Sequence, residues 1–348
     1  MDQSLNIKAI DADGHIIERQ DDVRRYLDSP WDRRNTSLYP GDQPWDSQLF
    51  DEIPLPVGYE PVMSPEAQVD VWTKALDDYN IEKAVLFPTG THTSQKLQEP
   101  EFAVAVCRAA NSLFSKEFTT ERLRPVGVLP IRDVKQAVRE MQRGVEELGL
   151  IGFEISTTGL PFAMGDPYYD PLYTAAGKLG TRILIHGTRH WGHEVGGNTL
   201  RTFAEVHAYT FPAAMMMQFT SVMCQGVTER FPDVKIAFLE IGATWLPYYL
   251  DRLDEHWHKR RFDMPNLKRK PSEAFRDSTI KISIEADETL LPQTVEFAGA
   301  EHLFYATDIP HWDCEFPENL EQMRRTNSLS EDAKRKILYS NAKEFYQL

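Results

Sequence analysis

The 348-residue chain is 41% hydrophobic and 26% charged, a composition that is ordinary for a soluble protein, and single α/β barrels are often this long. Its formal net charge of −15 argues against nucleic-acid or anionic-membrane partners, because both need a basic surface. The three cysteines show no short spacing, no signal peptide is recognised, and no apolar run approaches the roughly 20 residues that cross a bilayer, so we expect a cytoplasmic protein.

Eight short apolar runs, rich in β-branched or aromatic residues, predict buried strands. They are IKAIDADGH (7–15), KAVLFP (83–88), RPVGVLP (124–130), IGFEIS (151–156), RILIHG (182–187), KIAFLE (235–240), IKISIE (280–285) and LFYATD (303–308). Longer segments of helical character separate them. One of these, DVKQAVREMQRGVEELG, places its apolar residues on one face and ends at Gly149.

Strands that alternate with helices in this way predict a parallel sheet, and the closed form with eight of each is the (β/α)₈ TIM barrel. An open doubly wound sheet is the alternative. It is disfavoured because the acidic DADGH stands where such folds carry a glycine-rich phosphate loop. We predict one barrel domain over residues 1–348, with an insertion arm at 19–63 and a second long loop at 187–212, both leaving the catalytic face.

Ionisable residues stand at the carboxyl ends of four predicted strands. Asp13 and His15 close the first strand, His186 the fifth, Glu240 the sixth and Asp308 the eighth. In a barrel these ends surround one mouth, so the side chains would converge. Imidazoles with carboxylates suit Zn, Fe or Mn better than Ca or Mg. We therefore predict that these five residues bind a divalent metal, and three carboxylates leave open whether one or two ions bind.

Two further histidines are candidates for catalysis. His311, in TDIPHW, could orient the substrate or supply a proton. His207, in the predicted loop, could be a further ligand or a base, and a structural histidine is an equally good interpretation of either residue. Glu18 is a candidate to orient His15, whereas Glu154 lies away from its strand tip and is interpreted as barrel-interior packing.

The two long loops contain three tryptophans that could contact a substrate. Trp31, Trp45 and Trp191 could wall off an apolar or aromatic small molecule, or they could pack the loops themselves. The arm PWDRRNTSLYPGDQPW could also cross to a neighbouring chain in a homo-oligomer.

Several motifs resemble the amidohydrolase-2 branch of the amidohydrolase superfamily, which includes aminocarboxymuconate semialdehyde decarboxylase-like proteins. In chain order these motifs are DADGHIIE, RLRPVGVLP, ELGLIGFEIS, DPYYDPLYTAAGKLG, ILIHG, GVTERFPDVKIAFLEIGATWLPYYLDRLDEHW and YATDIPHWD. The resemblance implies a metal-dependent TIM barrel with His15, His186 and Asp308 at family metal positions. Asp13 replaces the first histidine of the family's H-x-H pair, and Glu240 replaces the histidine that decarboxylases of this branch use as acid–base group.

These two departures favour hydrolysis as the leading hypothesis. A metal would lower the pKa of bound water from about 15.7 to about 7, and Asp308, as general base, would take the proton of that water. The water would then attack an amide, ester, thioester or carbon–carbon bond of a small molecule. A metal-dependent non-oxidative decarboxylase is the first alternative. The second is a non-catalytic barrel that binds a partner through its loops and contains no metal.

Overall fold

The computed structural model describes residues 7–39, 58–60, 63–188 and 195–348. Within these ranges the strands are β1 Ala9–Ile16, β2 Ile81–Pro88, β3 Leu123–Pro125, β4 Gly127–Val128, β5 Phe153–Ser156, β6 Arg182–His186, β7 Lys235–Leu239, β8 Lys281–Ile284 and β9 Leu303–Tyr305. Their pairings are parallel, in the orders β1-β2-β3 and β4-β5-β6-β7-β8-β9. The third predicted strand is split into β3 and β4 at Val126, whose amide donates to the Leu86 carbonyl.

The two strand sets join into a closed ring. Between β1 and the segment after β9, the amide of His15 donates to the Ile309 carbonyl at 2.6 Å. Between the same two segments, the amide of Asp308 donates to the Asp13 carbonyl at 3.0 Å. The predicted TIM barrel is therefore confirmed, and its closing seam places three of the predicted metal-binding residues side by side.

Helices occupy the connections between the strands. They are α1 Gln20–Arg24, α2 Pro65–Asp78, α3 Pro100–Leu113, α4 Val134–Glu146, α5 Asp170–Leu179, α6 Phe203–Cys224, α7 Val227–Arg230, α8 Leu246–Arg260, α9 Pro271–Arg276, α10 Leu291–Ala298, α11 Glu318–Arg325, α12 Glu331–Arg335 and α13 Asn341–Tyr346. Local sequence explains several starts: Ser64 accepts a hydrogen bond from the Ala67 amide ahead of α2, and Asp133 caps α4. Among the described helices, none combines the length and apolar character needed to span a bilayer.

The C-terminal helix α13 closes the amino end of the barrel. Phe345 and Tyr346 pack among inward-facing side chains of the strands, including Leu184 of β6. The Tyr346 hydroxyl donates to the Ala12 carbonyl at 3.1 Å, and the Arg182 guanidinium donates to the Phe345 carbonyl at 2.8 Å. Because this end is sealed, the carboxyl ends of the strands form the open mouth.

The predicted loop at 187–212 is wrong over its second half, because α6 begins at Phe203. Thr202 and Glu205 form a capping box, in which the side chain of each accepts from the backbone amide of the other. The T-x-x-E spacing in TFAE was readable in the sequence. His207 therefore lies on a helix rather than in a loop, and residues 189–194 lie outside the described residues.

The predicted arm at 19–63 is described at residues 19–39, 58–60 and 63. It contains α1 and a short 3₁₀ turn at Trp31–Arg33. The Trp31 ring lies 5.6 Å from the Phe102 ring of α3 and 4.5 Å from the Arg34 guanidinium. These contacts favour the packing interpretation of Trp31, whereas Trp45 and Trp191 lie outside the described residues.

Gly165 lies where the chain after β5 passes α6, and a side chain there would clash. A Cβ at this position would lie 2.0 Å from the Ser221 carbonyl oxygen. We expect Gly165→Ala to lower the free energy of unfolding by about 1–3 kcal/mol in urea denaturation, because the backbone must shift. The control is Gly177→Ala in α5, where the Cβ would lie 3.4 Å from Val234. Equal stability of the two variants would contradict this expectation.

Candidate metal centre at the barrel mouth

All five predicted metal ligands converge at the mouth, together with His311. Their donor atoms form two overlapping groups, and within each group all donors lie within 4.8 Å of one another. One group contains Asp13, His15 and His186, and the other contains His15, Glu240, Asp308 and His311. The strand ends thus bring together residues that are up to about 300 positions apart in the chain.

The spacing of the donors is that of ligands that share one ion. His15 Nε2 lies 3.1 Å from Asp308 Oδ1 and 3.7 Å from Asp13 Oδ1, and His186 Nε2 lies 3.2 Å from Asp13 Oδ1. Ligands at about 2.1 Å from an ion in tetrahedral or octahedral geometry stand about 3.0–3.5 Å from each other. Asp13, His15 and His186 could therefore occupy one coordination sphere, and His15 links this group to Asp308 of the second group.

Both histidines present ring nitrogens suited to a cation. The Nδ1–H of His186 donates to the Gly187 carbonyl at 2.8 Å, so Nε2, which faces Asp13, is the nitrogen available to a cation. His15 is completely buried, and neither of its ring nitrogens has a hydrogen-bond partner among the described residues. An unsatisfied buried polar atom costs about 1–3 kcal/mol. The residues present therefore fit a bound divalent ion.

Glu240, which follows β7, contacts two histidines through its carboxylate. Its Oε2 lies 3.1 Å from His186 Nδ1, and its Oε1 lies 3.4 Å from His311 Nδ1. The neighbouring Gly187 makes room for it, because a Cβ there would lie 2.7 Å from Glu240 Oε2. Glu288, rather than Glu240, supports the start of α8, because its carboxylate accepts from the amides of residues 243 and 244.

Glu240 and Asp308 both have left-handed backbones, with φ of 74° and 57°. This conformation is uncommon outside glycine and costs of order 1–3 kcal/mol at each residue. The backbone before Asp308 is fixed by Asp11, whose carboxylate accepts from the amide and the hydroxyl of Thr307 at 3.0 and 2.5 Å. Two strained residues at one mouth are typical of a functional site.

His311 and Asp308 form a charged pair. His311 Nδ1 lies 2.7 Å from Asp308 Oδ1, and its Nε2 lies 3.2 Å from the Thr89 hydroxyl. Burial alone would lower the pKa of His311, but the charges of Asp308 and Glu240 outweigh it and raise the pKa to about 10. Against the effect of burial, His311 and His15 hold the pKa of Asp308 below its ordinary value.

The remaining titratable groups of the centre are shifted as well. Burial raises the pKa of Glu240 to about 7, although His186 and His311 oppose this change. For His186, burial is outweighed by the charges of Glu240 and Asp13, which raise its pKa well above the ordinary value. Shifts of this size, grouped in one pocket, are expected at a catalytic or metal-binding site.

A cavity of about 260 Å³ opens beside the centre. It is lined by His207, Phe211, Glu240, Glu285, Asp287, Thr307, Asp308, Asp313, Cys314, Glu315 and Asn319. The ring of His207 lies 4.2 Å from that of Phe211, and its Nε2 lies 4.0 Å from Asp313. His207 thus belongs to the cavity wall and lies outside both donor groups.

Sequence reasoning misplaced or missed several residues of the site. Glu18 does not orient His15. Its carboxylate accepts from the amides of residues 89–91, in the turn after β2, and this contact positions Thr89 beside His311. No sequence signal identified Thr89. Glu285, at the tip of the seventh predicted strand, carried the same strand-end signal as the chosen residues and was overlooked.

A parallel barrel with imidazoles and carboxylates at its carboxyl end defines a metal-dependent barrel enzyme. The family model described as Amidohydrolase matches residues 10–348, and the chain therefore belongs to the amidohydrolase family.

Curated relatives are decarboxylases. The chain is 27% identical over 231 residues to 2-amino-3-carboxymuconate-6-semialdehyde decarboxylase of Dictyostelium discoideum, a match that covers 66% of this chain and 62% of the relative. It is 24% identical over 296 residues to gamma-resorcylate decarboxylase of Rhodococcus jostii (strain RHA1), covering 80% of this chain and 87% of the relative.

Solved structures share the fold. An amidohydrolase from Mycobacterium avium subsp. paratuberculosis K-10 superposes with a TM-score of 0.79 at 20% identity, covering 98% of this chain and 99% of that one. The 5-carboxyvanillate decarboxylase of Novosphingobium aromaticivorans DSM 12444, with bound manganese and 3-methoxy-4-hydroxy-5-nitrobenzoic acid, has a TM-score of 0.74 at 18% identity, with 99% and 98% coverage.

The hydrolase prediction is contradicted by these comparisons, because the curated relatives carry out decarboxylation. The error lay in treating the loss of a histidine at Glu240 as a loss of acid–base function, although a carboxyl group can also carry a proton. The prediction of a divalent metal is supported by the cluster of donors and by a related structure that contains manganese, one of the three metals considered; the ligand assignments stay predictions.

Proposed function

We propose that the protein is a metal-dependent, non-oxidative decarboxylase of a small aromatic carboxylate. The observation that carries this proposal is the convergence of Asp13, His15 and His186, with Asp308 3.1 Å from His15, beside a small cavity. Relatives named for resorcylate and carboxymuconate semialdehyde substrates support the reaction class.

Asp13, His15, His186 and Asp308 would hold the ion, and manganese suits this mixed set of imidazole and carboxylate ligands. When bound, the ion supplies a Lewis acid that anchors the carboxylate of the substrate. The two unsatisfied nitrogens of His15 favour this assignment over a purely structural cluster.

The Asp308–His311 pair is assigned to proton transfer. Non-oxidative decarboxylation adds a proton to the ring carbon that carries the carboxylate, then breaks the carbon–carbon bond, and that electron pair restores the aromatic ring as carbon dioxide leaves. The Nδ1–H of His311 donates to Asp308 Oδ1 at 2.7 Å, and Asp308 lines the cavity. Glu240 and Thr89 hold the imidazole from two sides, at 3.4 and 3.2 Å.

The test is carbon dioxide release from a panel of ortho-hydroxybenzoates by the manganese-loaded chain, followed by chromatography of the products. Metal-dependent release that stops in chelator would support the proposal. Hydrolysis of amides or esters in a parallel panel, with no carbon dioxide from any benzoate, would contradict it. A chain that purifies without metal, takes up no Mn, Zn or Fe, and is equally stable in chelator would favour the partner-binding barrel instead.

A further inference from the structure

The two donor groups at the mouth overlap at a single histidine. The second group consists of His15, Glu240, Asp308 and His311, with one donor atom of each within 4.8 Å of the others. His15 also belongs to the first group, and a ring nitrogen binds only one ion. When the first ion takes His15, three donors remain close together. We call Glu240, Asp308 and His311 the outer site.

The donors of the outer site are spaced much as ligands of one ion are. His311 Nδ1 lies 2.7 Å from Asp308 Oδ1 and 3.4 Å from Glu240 Oε1. Ligands at about 2.1 Å from a tetrahedral ion stand about 3.0–3.5 Å apart, so the closer pair needs only a small adjustment. Three protein ligands that leave a fourth position to water are a common arrangement around zinc.

A separate observation also points to metal ions between the two groups. His15 is completely buried, and neither of its ring nitrogens makes a hydrogen bond among the described residues. Its Nε2 nevertheless lies 3.1 Å from Asp308 Oδ1. Such an approach without hydrogen-bond geometry is expected of two ligands that bind cations. In the same part of the structure, the buried Oε2 of Glu240 also lacks a hydrogen-bond partner.

The outer site can be reached from the cavity, whereas the first donor group is enclosed. Side chains of the first group are at most 1% exposed. Those of Glu240, Asp308 and His311 are 13%, 19% and 18% exposed, and the two carboxylates line the cavity. An ion could therefore enter and leave the outer site while the first ion stays bound.

An ion in the outer site would compete with a proton. The Nδ1–H of His311 donates to Asp308 Oδ1, so a cation that binds this nitrogen must take the place of its proton, which leaves to solvent. Protonated His311 and a second cation also balance the same negative charge, that of Glu240 and Asp308. The outer site can thus hold a proton for transfer or a second ion, but not both.

We propose that the outer site is a second, inhibitory metal site that binds zinc. The inhibition rests on the proposed function, because that function assigns proton transfer to Asp308 and His311. Zinc is preferred over manganese, since it accepts four-coordinate geometry and binds imidazole and carboxylate donors more tightly. Asp308 can serve both ions through its two oxygens. Decarboxylation stops when zinc occupies the outer site, although the first ion remains in place.

The test counts bound ions. The manganese-loaded chain is dialysed to equilibrium against a fixed concentration of manganese and increasing zinc, and both metals are then measured by elemental analysis. We expect the total to rise from one ion per chain to two, even where zinc also replaces the manganese. A total that stays at one ion per chain, while zinc exchanges for manganese, would overturn the proposal.

Matched variants locate the second ion. His311→Gln and Glu240→Gln each remove a donor of the outer site and none of the first donor group. Each should therefore weaken binding of the second ion by more than about tenfold, while one ion stays bound. His256→Ala removes an exposed histidine of α8 and should still allow two ions. A second ion that both glutamine variants bind as tightly as the unaltered chain would overturn the assignment.

Activity separates the inhibition from the proposed function. Carbon dioxide release should fall by about a hundredfold or more as the second ion binds, with half-inhibition at the zinc concentration of half-occupation. Undiminished release with two ions bound, or a loss that follows only the departure of manganese, would overturn the inhibition. Two ions per chain without carbon dioxide release from any aromatic carboxylate would leave the outer site and remove the decarboxylase.

Discussion

Asp308→Asn is expected to lower kcat/KM for decarboxylation by about 10²–10⁴-fold while the barrel stays folded, because this residue is assigned to proton transfer. Asparagine suits the test, since it tolerates the left-handed backbone that Asp308 adopts at φ 57° and keeps the shape of the side chain. The rate is measured by carbon dioxide release at saturating manganese, and the fold by circular dichroism and Tm.

Asp70→Asn is the matched control and should retain full activity, because Asp70 lies exposed on α2. Normal turnover in a folded Asp308→Asn variant would remove Asp308 from the mechanism. If Asp308→Asn loses its circular dichroism signal, His311→Gln tests the same proton transfer. This variant should also lose activity, because it removes the ring nitrogen that lies 2.7 Å from Asp308.

His186→Ala is expected to weaken manganese binding by more than about a hundredfold, because even residues that only support metal ligands alter affinity by about 10–100-fold. The Nε2 of His186 faces Asp13 at 3.2 Å, so its removal takes one donor from the proposed coordination sphere. The affinity is measured by electron paramagnetic resonance of free manganese during a titration.

The control for this variant is His256→Ala. His256 lies exposed on α8 and contacts the Arg252 carbonyl of its own helix, so manganese affinity should not change. Unaltered affinity in His186→Ala would place the ion elsewhere, and equal losses in both variants would indicate a general effect of histidine removal on the protein.

The barrel and most of the metal centre could be predicted because they follow from two regular features. Short apolar runs mark the strands, and a parallel barrel gathers the carboxyl ends of its strands at one mouth. Asp13, His15, His186 and Asp308 therefore needed no contact information to be placed together. Their roles as ligands and catalyst remain proposals, as do the single domain over 1–348 and a homo-oligomer.

The features that sequence reasoning missed depend on how loops fold. Thr89 reaches His311 because Glu18 binds the turn that carries it, a contact between residues 71 positions apart. The cavity is lined by Glu285 after β8 and Asp313 after β9, and no local pattern joins these two residues. By contrast, the early start of α6 was encoded locally, in the capping box at Thr202.

The reaction was misjudged for a chemical reason. Replacement of a histidine by Glu240 was given more weight than the overall resemblance to decarboxylases. In the structure Glu240 lies within 3.4 Å of His311, so an imidazole is still present at the mouth, contributed by a different strand end. A proton donor can thus be kept while its position in the sequence changes.

The most direct test is decarboxylation in D₂O of the panel member that the manganese-loaded chain converts fastest. We expect one solvent deuterium at the ring carbon that lost the carboxylate, one carbon dioxide per product, and activity that chelator removes and manganese restores. Incorporation of oxygen from ¹⁸O-labelled water into the product, or undiminished activity in the metal-free chain, would contradict it.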